Sequence, residues 1–214
     1  VRFAYGLRTL TSQTPVTPEE RQAYIQRLVK ESLITEAYLT WVNGLSPAER
    51  KHMGLLHNGS FELPLGKEVF DWQWSPHRQV VVRTAATVGV AGERALQLIF
   101  RGQKGRFQHL HQALYLDPGT YRLSGKVQLD SLTSQGGLRW TLRCLQPRQV
   151  VLGESDRFLG SEKWRGFKLD FEVPEDCQLQ EIRLESAGRV SLEQKISGEI
   201  WFDDLAVRRT TGLT

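Results

Sequence analysis

The chain has 214 residues, 40% of them hydrophobic and 24% charged, which describes a globular protein with a core of its own. Its 28 basic and 24 acidic residues leave a net charge of +4. That is milder and more scattered than nucleic-acid binding requires, with clusters only in RGQKGR at 101–106 and at Arg208–Arg209. Apolar runs are only a few residues long, so no membrane-spanning helix is expected.

The opening VRFAYGLRTLTSQTPV has neither an initiator Met nor an apolar signal-like block, and reads as a piece cut from a longer protein whose targeting segment lies elsewhere. Residues 17–53 then read as helical. TPEERQAYIQRLVKE places Thr17 as N-cap and Pro18 at the first helical position, with acids in the first turn. Tyr24 and Leu28, and Ile25 and Val29, recur at helical spacing. A second helix, ITEAYLTWVNGL, carries Ala37, Trp41 and Val42 and is expected to stop at Asn43–Gly44. SPAERKHMGLL restarts with Ser46 as cap. The spacing of Tyr24, Leu28, Ala37 and Trp41 resembles one unit of a tetratricopeptide-like array. A lone unit cannot bury its own face, so the hairpin is expected either to end a longer solenoid or to pack on the neighbouring domain.

From about residue 58 the texture becomes short runs of β-branched and aromatic residues punctuated by Gly, Pro, Asn and Asp, which predicts an antiparallel sandwich or barrel. In YRLSGKVQL, Tyr121, Leu123, Val127 and Leu129 fall on one face, and Arg122, Ser124, Lys126 and Gln128 on the other. GLRWTLRC likewise separates Leu138, Trp140, Leu142 and Cys144 from Arg139, Thr141 and Arg143. Cys144 and Cys177 are either a structural disulfide, if the protein lives outside the cytosol, or two buried thiols.

Six pieces come in a telling order: NGSFE at 58–62, FDWQW, GERALQLIF at 92–100, LYLDPGTYRLSGKV at 114–127, the W-x-x-F-x-x-x-F-x-V-P spacing at 164–174, and IWFDDLAV near the end. Together, over about residues 58–209, they resemble the carbohydrate-binding modules of jelly-roll type, families four and nine and their galactose-binding-like relatives. The resemblance implies a mainly β, two-sheet antiparallel jelly-roll sandwich over 55–209, with a helical segment at 1–54 before it and a tail at 210–214. It implies that NGSFE and the last strand are neighbouring strands. It also implies one structural calcium ion held by Glu62, Asp203 and Asp204, where hydrogen-bonded or solvated acids are the plainer alternative.

For an oligo- or polysaccharide the candidate contacts are Trp72, in a polar and turn-rich stretch, and Phe107, His109 and His111, read as one strand face beside Arg139 and Arg143. The expectation is a non-catalytic glycan-binding module of an extracytoplasmic protein, with bacterial polysaccharide assembly or export as a setting that the resemblance implies. A protein partner is expected at the helical segment. A scaffold without sugar binding is the main alternative, marked by the lack of an exposed Trp or Tyr on the binding face. A glycan hydrolase or lyase would need two converging acids, or a His with a Tyr. No metalloprotease, nucleophile-elbow, phosphate-loop or Cys-x-x-Cys motif is present.

Overall fold

The structure, a computed structural model, describes residues 16–87, 92–187 and 195–210. Among the described residues three helices precede the strands, α1 (Pro18–Lys30), α2 (Ile34–Gly44) and α3 (Pro47–Arg50). Capping boxes start α1 and α3: Thr17 with Glu20, and Ser46 with Glu49, each pair satisfying the other's free backbone N–H. α1 ends where Ser32 turns left-handed at φ 60°. Gly44 is not a left-handed stop but the last residue of α2. A Cβ there would collide with the guanidinium of Arg21, which donates to the Gly44 carbonyl at 2.7 Å.

Ten strands follow. β1 (Gln73–Trp74), β4 (Leu110–Leu114), β9 (Leu179–Ser186), β6 (Leu138–Gln146) and β7 (Val150–Glu154) form one sheet in that order. β2 (Val80–Ala86), β3 (Arg94–Arg101), β10 (Ser197–Arg209), β5 (Gly119–Thr133) and β8 (Gly160–Val173) form the other. Every pairing is antiparallel. The two-residue alternation of the sequence becomes two inner faces whose side chains interdigitate. From β5 come Tyr121, Leu123, Val127 and Leu129, and from β6 come Leu138, Trp140, Leu142 and Cys144, all in one core cluster. Trp140 meets Phe202 edge-on at 5.0 Å across the two sheets.

NGSFE is a neighbour of the last strand but not a strand. Asn58 and Phe61 are left-handed, at φ 49° and 55°, which an extended strand does not allow. Asn58 closes this loop on itself through both the N–H and the carbonyl of Leu63. The neighbourhood survives as one hydrogen bond, from the Leu205 N–H to the Gly59 carbonyl at 2.9 Å. The approach is so close that a Cβ on Gly59 would overlap that strand's backbone.

The hairpin packs on the sandwich. Ile25, Leu28, Ile34, Ala37 and Trp41 join Phe70, Ala113 and Leu179 in a second core. Tyr38 binds it from the rim, with ring centres 5.2 Å from Phe70 and 5.1 Å from Tyr115. Polar ties accompany it: Arg21 pairs with Glu68 at 2.7 Å, and Gln146 Nε2 donates to the Val29 carbonyl at 3.0 Å. Of the residues expected to be helical or tail, 1–15 and 211–214 lie outside the described residues.

Cys144 and Cys177 are joined, linking the end of β6 to the turn before β9. The bridge closes a 33-residue separation, so on the chain-entropy model it stabilises the fold by about 3–4 kcal/mol. A Cys144→Ala/Cys177→Ala protein is expected to lose about that much in urea unfolding. A loss under about 1 kcal/mol would show that the bridge constrains the unfolded chain little.

Candidate functional site

The outer face of the β1–β4–β9–β6–β7 sheet divides in two. At one end Ala113, Tyr115, Leu145 and Leu179 are apolar and lie under the hairpin. The rest is charged. The strand register sets one row across all five strands: Gln73, His111, Arg183, Thr141 and Glu154. Beside it Arg139 stands opposite Glu185, and Arg143 opposite Glu181.

Glu185 is the hub, with 1% of its surface exposed. It accepts from Thr141 Oγ1 at 2.9 Å and from Arg143 Nη2 at 2.8 and 2.9 Å. Arg139 lies 3.6 Å away and Arg106 3.8 Å. Arg139 also donates to Glu154 at 2.5 Å. Arg183 covers Glu181, giving Nη2 to Oε2 at 2.9 Å while its Nε lies 2.7 Å from Oε1. Burying a carboxylate costs several kcal/mol unless it is paired, and here each buried acid has at least one guanidinium against it. The network leaves some polar atoms buried without a hydrogen bond: Nε of Arg139, Arg143 and Arg183, Nδ1 of His111 and Oε1 of Glu181.

Histidines border this cluster on the β1 side. His77 and His109 stack at 4.6 Å, and Trp74 meets His109 edge-on at 6.4 Å. Burial holds His109 and His111 below the ordinary histidine range, and Arg183 pushes both the same way, so both are neutral at pH 7. The charge of the face therefore comes from its arginines and glutamates.

The sequence-predicted contacts fare unequally. Arg139, Arg143 and His111 do share this face, and His109 lies at its border. Phe107 does not: it is 1% exposed and packs in the core against Phe100. The strand begins only at Leu110, so residues 107–109 do not alternate as read. Trp72 is no platform either. It is 1% exposed, packs between Phe61 and Trp140, and gives its N–H to the Asn58 carbonyl at 3.2 Å. Its polar neighbours mark a buried loop crossing, not a surface. Sequence reading missed Glu181, Arg183, Glu185, Glu154 and Arg106. IRLES carries the alternation, but only the β6–β9 register shows that its charges face Arg139 and Arg143.

At the opposite sheet lie the three predicted metal ligands. Glu62 Oε1 accepts the N–H groups of Glu93 and Arg94 at 2.9 and 3.2 Å, tying the NGSFE loop to β3. Asp204, left-handed at φ 51°, turns to Lys126 at 2.8 Å. Asp203 is 0% exposed, with Oδ1 on the Asp204 N–H at 2.7 Å and Oδ2 buried without a partner. Burial first, then Asp204 and Glu62, push its carboxyl up to about 7. Among the described residues no group of three or more His, Cys, Asp or Glu is arranged to hold a metal ion. Asp203 thus keeps one oxygen without a hydrogen-bond partner, and the negative charges of Asp204 and Glu62 both act on its carboxyl.

Because the folded chain holds this proton more tightly than the unfolded one, it binds more protons between pH 3.8 and about 7. The Asp203 contribution to stability therefore falls as pH rises through that window. In metal-free buffer, Asp203→Asn is expected to raise the unfolding midpoint at pH 8 relative to the parent and to leave it unchanged at pH 4. An unchanged midpoint at pH 8 would show Asp203 to be paired and ionised.

No protein-family model matches the sequence, and no curated protein matches it either. Solved structures do match in fold. A family-four carbohydrate-binding module has a TM-score of 0.50 at 16% identity, over 72% of this chain and 99% of its own. A protein from Bacteroides thetaiotaomicron described as sugar-binding gives 0.53 at 9%, over 74% and 100%. A family-61 module in complex with β-1,4-galactotriose gives 0.51 at 15%, over 74% and 99%. Each likeness spans the whole of the other module and leaves about a quarter of this chain over, roughly the share of its helical segment. The sandwich thus has the jelly-roll fold of carbohydrate-binding modules.

Proposed function

We propose that this chain is a non-catalytic glycan-binding module within a larger extracytoplasmic protein, and that it binds through the charged part of the β1–β4–β9–β6–β7 face. The observation that carries the reading is the convergence of Arg139, Arg143 and Arg183 beside Thr141 and His111 on one sheet face, with the three arginine side chains 22–24% exposed. Such groups read sugar hydroxyls, and the hairpin walls one side of the surface. The galactotriose complex of a similarly folded module supports an oligosaccharide as ligand. The Cys144–Cys177 disulfide supports an oxidising compartment. Polysaccharide assembly or export in bacteria fits as a setting. The hairpin's exposed side, with Leu39 uncovered, is where a protein partner would dock.

A structural calcium ion belongs to the same reading. Asp203 Oδ2 and Glu62 would hold it, with backbone carbonyls and water completing the shell that calcium needs. Its role would be to neutralise these carboxylates and fix the NGSFE loop against β3. Millimolar calcium is expected to raise the unfolding midpoint of the parent at pH 8 and not that of Asp203→Asn. Equal effects on both proteins would remove the ion from this site.

The scaffold reading keeps one observation in its favour: among the described residues no tryptophan or tyrosine of this face is fully exposed, Trp74 and Tyr115 being half-buried. Trp72, Trp140 and Phe107 point into the core, and Tyr115 lies against the hairpin. Binding would then rest on polar contacts without stacking. A glycan array on the intact chain decides between the two. Selective retention at micromolar to millimolar dissociation constants, about −4 to −8 kcal/mol, with about tenfold loss in Arg143→Ala, is the expected result. A blank array from well-folded protein would leave the scaffold role.

A further inference from the structure

We infer that this face selects glycans that carry carboxylate groups, uronic-acid units being the simplest, an inference that rests on the glycan-binding reading above. Four guanidinium groups, Arg106, Arg139, Arg143 and Arg183, meet three carboxylates, Glu154, Glu181 and Glu185. The face keeps one positive charge in excess. The acids are already engaged: Glu185 alone accepts from Thr141 and Arg143 and lies within ion-pair distance of Arg139 and Arg106. The buried atoms without a hydrogen-bond partner are mostly donors, Nε of Arg139, Arg143 and Arg183, against one acceptor, Glu181 Oε1. The guanidinium groups that reach the surface, Arg106 above all, outnumber the acids, and a sugar carboxylate supplies two acceptors on one planar group.

Geometry favours the same chemistry. A guanidinium meets a carboxylate through two parallel hydrogen bonds, which fixes orientation without a stacking platform. That suits a face whose tryptophan and tyrosine rings are buried or half-buried. Arg106 is the most available member, about half exposed and only 3.8 Å from Glu185, so it can swing to a ligand without stripping a buried acid of its partner. Neutral sugars offer only hydroxyls here. Those would have to displace charge-assisted hydrogen bonds with weaker ones.

The test is an array and titration calorimetry on the intact chain with three sets of oligosaccharides: neutral, uronate-containing, and the same uronate compounds reduced at the carboxyl to neutral sugars. Uronate compounds are expected to bind, and their reduced forms at least about tenfold more weakly, the loss of one charge-assisted pair. Affinity is expected to fall as sodium chloride rises. Arg106→Gln, exposed enough to leave folding intact, is expected to weaken uronate binding several-fold. Arg143→Lys, which keeps the charge and loses the fork, is expected to do the same. Equal affinity for uronate and reduced forms would overturn the charge selection and leave the glycan-binding reading standing. No binding to any of the three sets by folded protein would overturn both.

Discussion

The pairing of β6 with β9 carries the most consequence in this fold. Its register puts Arg139 opposite Glu185, Thr141 opposite Arg183 and Arg143 opposite Glu181 on one side, and Trp140 opposite Leu184 and Leu142 opposite Ile182 on the other. A slip of β9 by one residue would send its three charged groups, Glu181, Arg183 and Glu185, into the core and Ile182 and Leu184 into water. Burial of Glu185 makes the register more exacting. A carboxylate so enclosed is tolerable only with guanidinium groups against it, so the arginines and the acid specify one another. The Cys144–Cys177 bridge closes the same pair of strands at their end. Core, cross-link and candidate site thus depend on one ladder.

The hairpin answers a problem set by the same sheet. An antiparallel sheet can leave one face in water, but here the outer face ends in Ala113, Tyr115, Leu145 and Leu179. Left bare, these would form an apolar patch beside the charged cluster. The hairpin covers them with Leu28, Ile34, Ala37 and Trp41, and stops short of the arginines. Its polar ties reinforce the placement. Trp41 Nε1 donates to Asp71 at 3.2 Å, and that carboxyl is pushed up to about 6, chiefly by burial beneath the hairpin and then by Glu68. The apolar side that resembled a repeat unit's stacking surface is therefore in contact with the sandwich.

Much of the fold was legible in the chain because period-two alternation and turn residues act locally. The inward sets of β5 and β6, the N-caps at Thr17 and Ser46, and the core placement of Cys144 all follow from neighbours in sequence. The errors have a common cause, which is tertiary context. Trp72 looked exposed because Asp71 and Gln73 flank it, yet a loop crossing buries it under Phe61. Phe107 looked like a companion of His111 because alternation was extended past the true start of β4. NGSFE looked like a strand although Asn58–Gly59 is itself a turn signal, and nothing in it announces left-handed Phe61. The site suffered most. Arg139 and Arg143 were placed on a face from their own strand, but Glu181, Arg183 and Glu185 come from a strand 40 residues on. Only register unites them.

The most direct test of the central claim, that the arginine-lined face of the β6–β9 ladder is where a glycan binds, is to locate the ligand by nuclear magnetic resonance. Titration of the labelled chain with a carboxylated oligosaccharide should shift the side-chain Nε–H signals of Arg139, Arg143 and Arg183 and the backbone signals of β6 and β9. Shifts confined to the opposite sheet, on β3, β5 and β10, or to the exposed side of the hairpin would contradict the account.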